Sequence, residues 1–110
     1  MKIKITADDI RMTNACWKAW TAALTLANEM GASEIRLTSA KRDRGPNDRL
    51  SFHHTEPYSQ AFDFVTEGVD ITEYKRILAK SLGPEFDLIY HENRGSAGMH
   101  FHCEHDRRSK

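Results

Sequence analysis

Met99-His100-Phe101-His102-Cys103-Glu104, close to the C-terminus, is the stretch from which the rest of the chain is read. In an extended strand successive side chains point to opposite faces, so His100 and His102 stand side by side on one face, with Glu104 continuing it. Phe101 and Cys103 then face the other way, toward a core. This is the alternation of a strand buried on one side. Two adjacent imidazoles on the open side form a geometry suited to metal binding or acid–base chemistry.

Outward from this strand, residues 93–98 are rich in Gly, Ser and Asn and read as a hairpin loop. Residues 86–92 read as its partner strand. Phe86, Leu88 and Tyr90 share one face of that strand, and Asp87, Ile89 and His91 share the other. Asp70-Ile71-Thr72-Glu73 is a capping-box pattern with Asp at the cap. It opens a helix whose apolar face is Ile71, Tyr74, Ile77, Leu78 and Leu82, and Gly83-Pro84 stops it. Residues 60–65 form a further strand with Phe62 and Phe64 on one face and Ala61, Asp63 and Val65 on the other. A carboxylate at Asp63, in the middle of an apolar strand, is costly to desolvate unless it is paired or bound to a cation.

The first half of the chain is simpler. Residues 2–6 alternate Lys and Ile as a short edge strand. From a cap at Thr13 or Asn14, Cys16, Trp17, Trp20, Ala23, Leu24, Ala27 and Met30 follow helical spacing up to Gly31. Residues 34–39 alternate again, with Ile35 and Leu37 inward, and residues 43–49 have turn composition. The expected fold is therefore α+β, a small antiparallel sheet carrying the site, with two main helices packed on one face.

At 110 residues the chain is expected to form a single domain, residues 1–110, and a monomer. Sixteen basic and sixteen acidic residues balance, so no global field draws it to nucleic acid or to an anionic membrane. The N-terminal residues lack a signal-like apolar segment, and no apolar run reaches membrane-spanning length, so a cytoplasmic location is expected. Cys16 and Cys103 form no CxxC pair, and both read as buried thiols. All six histidines fall between His53 and His105, which points to a site assembled in the second half.

Ser51-Phe52-His53, Ala61-Phe62-Asp63 and His100-Phe101-His102 together supply two nitrogens and one carboxylate oxygen. Three mixed N and O ligands leave a fourth tetrahedral position for water, the composition of a catalytic zinc site. Magnesium and calcium prefer mostly oxygen donors, whereas a facial-triad iron uses the same ligand set.

These three motifs resemble the hallmark Ser-x-His, Ala-x-Asp and His-x-His of a zinc peptidase family. That family includes D-Ala-D-Ala carboxypeptidases and dipeptidases, phage endolysins that cut L-Ala-D-Glu bonds, and the amino-terminal domain of hedgehog signalling proteins. Residues 86–92 followed by His100-Phe101-His102-Cys103 are similar to the hedgehog version, and Ser39-Ala40-Lys41-Arg42 is similar to the Ser-Gly-Tyr-Arg segment of the bacterial enzymes. The resemblance covers roughly residues 34–104. It implies that His53, Asp63 and His102 bind Zn2+, that Glu92 is the general base, that His100 stabilises the oxyanion, and that Arg42 holds a substrate carboxylate. The implied activity is hydrolysis of peptide bonds in peptidoglycan-type peptides, as in a phage endolysin.

The interval between His53 and Asp63 is longer than the family's, which leaves His54 open as a ligand. The bacterial enzymes place their acid three residues before the last His, where this chain has Met99, so Glu56 and Glu104 stand beside Glu92 as candidate bases. The alternative function is a zinc-binding module without turnover. A His-hydrophobe-His nuclease is a third reading, but no Tyr nucleophile follows His102.

Overall fold

Strand alternation sorts the large apolar side chains onto one side of a single sheet. The computed structural model describes residues 1–41, 52–54, 57–92 and 98–106. Five strands, β1 (Lys2–Ile5), β2 (Glu34–Ser39), β3 (Ala61–Glu67), β4 (Phe86–His91) and β5 (His100–His105), pair in the order β1-β2-β3-β5-β4. Two helices, α1 (Asn14–Glu29) and α2 (Ile71–Leu82), complete the α+β fold.

The pairings among β2, β3, β5 and β4 are antiparallel, as expected. β1 instead runs parallel to β2, so the sheet is mixed. The cause is the connection: α1 lies between these two strands, and a crossover of that length can return the chain in the same direction. β1 is an edge strand, and Ile3 and Ile5 remain 55% and 50% exposed.

The helices begin where the capping residues place them. Thr13 Oγ1 accepts a hydrogen bond from the Cys16 amide at 3.3 Å, satisfying one of the amides that a helix leaves without an internal partner. Asp70 Oδ1 does the same for Glu73 at 3.0 Å. At the far end of α1, Gly31 takes φ +80°, a conformation that a side chain would strain. The buried stripe of α1 is Cys16, Ala19, Trp20, Ala23 and Ala27. Trp17, Leu24 and Met30 are only half-buried along its margins.

The core lies between this stripe and the apolar face of the sheet. Phe62, Phe64, Phe101 and Tyr74 are each fully buried. Phe64 stacks on Phe101 with ring centroids 5.0 Å apart, and Trp20 meets Phe64 edge-on at 6.0 Å. Such pairs contribute about 0.5–1.5 kcal/mol each beyond their buried area. The Tyr74 hydroxyl donates to the Ala23 carbonyl at 2.8 Å, tying α2 to α1. With both helices on this side, the opposite face of the sheet is left to form a site.

Candidate metal centre

β3 and β5 pair with Asp63 directly opposite His102, so strand parity brings the two side chains together on the face away from the helices. Their inward neighbours Phe62, Phe64, Phe101 and Cys103 fix that parity, because a one-residue slip would turn either Phe62 and Phe64 or Phe101 and Cys103 out of the core. A register shift between Leu37 and Ser39 sets Ser39 against Asp63, and Thr38 Oγ1 donates to the Asp63 carbonyl at 3.2 Å. The third member comes from a short helical turn, Phe52–His54, ahead of β3.

The three side chains converge on one oxygen. Asp63 Oδ1 lies 3.2 Å from His53 Nε2 and 2.8 Å from His102 Nδ1. One ligand atom from each of the three lies within 4.8 Å of the others, so the group can hold a metal ion. Two donors about 2.0–2.1 Å from a tetrahedral ion are about 3.3 Å apart, which these separations approach. The side chains are largely withdrawn from solvent, with 2%, 14% and 15% of His53, Asp63 and His102 exposed.

Hydrogen bonding on the outer side of each ring makes the inner side an acceptor. His53 Nδ1 donates to the Ala40 carbonyl at 2.6 Å, so in the neutral ring Nε2 carries a lone pair toward Asp63. His102 Nε2 lies 2.7 Å from Glu104 Oε1. If that nitrogen carries the proton, Nδ1 likewise presents a lone pair to Asp63. Two imidazole lone pairs and a carboxylate then meet at one point, an arrangement that calls for added protons or a single cation.

The protonation balance reflects this competition. Burial by itself raises the Asp63 pKa, but the hydrogen bonds and charges of His102 and His53 outweigh it and hold the carboxyl well below its usual range. Burial pushes His102 toward the neutral form. Asp63 and Glu104 more than offset that effect, so its pKa lies above the ordinary value. A proton on Nδ1 of His102 and a metal ion therefore exclude one another.

The remaining predicted residues fall in different places. His100 is on the same face, and its Nδ1 donates to the Gly98 carbonyl at 3.1 Å. It lines a cleft of about 800 Å³ together with His53, Asp63 and His102. Glu92 follows β4, is exposed, and is not among the residues lining that cleft. Arg42 and Glu56 lie outside the described residues. His54 is half-buried beside His53 and is not one of the three converging side chains.

Two further cleft residues have no counterpart among the predicted site residues. His91 pairs with His100 across β4 and β5, with ring centroids 5.1 Å apart, and its ring is 6.2 Å from that of His102. Arg36 lines the cleft from β2 and pairs with Glu34, which also meets Lys4 at 3.3 Å. Alternation was the available signal for both. His91 shares a face with Asp87 and Ile89, and Arg36 opposes the inward Ile35 and Leu37. Among the described residues, no helix is long and apolar enough to cross a membrane. No protein-family profile, curated protein or solved structure matches the chain.

Proposed function

We propose that the chain is a zinc-dependent peptidase acting on peptidoglycan-type peptides, with His53, Asp63 and His102 as the zinc ligands. The observation that carries this reading is the convergence of His53 Nε2, His102 Nδ1 and Asp63 Oδ1 on the wall of an open cleft. Two neutral imidazoles and one carboxylate suit zinc better than the oxygen-seeking magnesium or calcium. When bound, the ion supplies Lewis-acid polarisation of the scissile carbonyl and a water whose pKa is lowered toward about 7.

The chain's own residues supply the rest. His100 stands on the cleft wall, held by its bond to Gly98; with both ring nitrogens protonated, its Nε2–H offsets charge developing on the carbonyl oxygen. Glu92 takes the proton of the attacking water and returns it to the departing amine. Arg42 holds a carboxylate of the substrate through its planar fork. The position of Glu92 outside the cleft-lining residues favours a second reading, a zinc-binding module without turnover.

Metal analysis alongside a cleavage assay separates the two. The purified chain should hold about one zinc, and Asp63→Ala or His102→Ala should largely abolish tight binding. His53→Ala should weaken zinc where His54→Ala does not. Full occupancy in the Asp63 and His102 variants would overturn the site. Glu92→Gln should keep the zinc and lower cleavage by about two to four orders of magnitude. A zinc-loaded wild type that cuts no L-Ala-D-Glu, D-Ala-D-Ala or cross-bridge bond would establish the binding module instead.

A further inference from the structure

We infer that Glu104 is the positioning residue of the metal site, fixing the ring of His102 so that Nδ1 rather than Nε2 is the ligand. The inference rests on the metal-site reading above and is independent of peptidase activity. The two histidines present opposite nitrogens: His53 has Nδ1 committed to the Ala40 carbonyl, and His102 has Nε2 at 2.7 Å from Glu104 Oε1. For His53 the partner is a backbone carbonyl, held in place wherever the chain folds. For His102 it is a side chain two residues along the same strand.

Strand geometry explains why a carboxylate occupies that position. Glu104 shares the open face of β5 with His102, and its cross-strand neighbour on β4 is Asp87. Asp87, Glu104 and Asp106 bring carboxylate oxygens within 4.8 Å of one another. Among like charges, a carboxylate is favoured where it can accept a hydrogen bond, and His102 Nε2 is within reach. The resulting order is Glu104, imidazole, ligand site. A carboxylate accepting the outer ring N–H fixes the tautomer and makes the inner nitrogen a better donor to the metal. Glu104 was also a candidate base, but an oxygen bonded to the outer edge of His102 faces away from the ring nitrogen that meets Asp63.

The test uses the full chain, zinc titrations with a competing chelator, and long-range proton–nitrogen spectra of the histidine rings. Wild-type, zinc-loaded protein should show His102 protonated at Nε2 and His53 protonated at Nδ1. Glu104→Ala should weaken zinc roughly 10- to 100-fold, and Glu104→Gln, which keeps an acceptor oxygen, should recover most of that loss. Asp87→Asn, which alters the acidic surroundings and leaves Glu104 and His102 themselves in place, should leave the ring pattern unchanged. Wild-type affinity in Glu104→Ala, or His102 ligating through Nε2 in the wild type, would overturn the inference while leaving the metal site standing. Wild-type protein that takes up no zinc would overturn both. If Glu104→Ala does not fold, the wild-type ring assignment and the Glu104→Gln titration still decide the matter.

Discussion

Thr66 follows Phe62 and Phe64 on the helix-covered side of β3, and its buried hydroxyl has no hydrogen-bond partner among the described residues. A buried donor that water would otherwise satisfy costs roughly 1–3 kcal/mol, and valine has almost the same shape without the hydroxyl. Thr66→Val should therefore raise stability by about 1 kcal/mol, read as a higher urea midpoint at unchanged slope. Cys16 is also buried there, and burial pushes its thiol up to about 11 despite the hydrogen bond from its neighbour Thr13. Asp63 was legible at this scale because it interrupts an otherwise apolar strand, and His102 because it stands on the open, polar face of an alternating one. The contact between Glu104 and the outer nitrogen of His102 was not. Parity says that two side chains share a face, but not which atoms meet.

α2 depends on one exposed residue for its start, because Asp70 accepts the Glu73 amide at 3.0 Å. Asp70→Ala should cost about 1 kcal/mol, with the loss appearing in thermal unfolding and the zinc content unchanged. Both helices were legible from their caps and apolar spacing, since those signals are local. The direction of β1 was not. Alternation gives the faces of a strand but says nothing of its neighbour, and here the neighbour is set by the passage of α1 between β1 and β2. The shift between Leu37 and Ser39, which brings the end of β2 beside Asp63, is equally invisible locally. It depends on how two distant strands come into register.

The three proposed ligands stand at positions 53, 63 and 102, so only the assembled sheet brings them together. Zinc bound to the folded state and not to the unfolded one stabilises it by about 2.7 kcal/mol at one hundred times its dissociation constant. For a domain of this size that corresponds to a rise of roughly 10 °C in melting temperature, which chelator should reverse and Asp63→Ala should lack. The strand order has one more consequence. β5 follows every other strand in the chain yet sits between β3 and β4, so its hairpin with β4 must dock onto β3 across a long stretch of intervening sequence. Until it docks, the edge of β3 that carries Phe62 and Phe64 is an open template of amides and carbonyls. Another copy of the chain can pair there in place of its own β5. The step that assembles the proposed site is thus also the step at which folding competes with aggregation, and dilution favours the folded outcome.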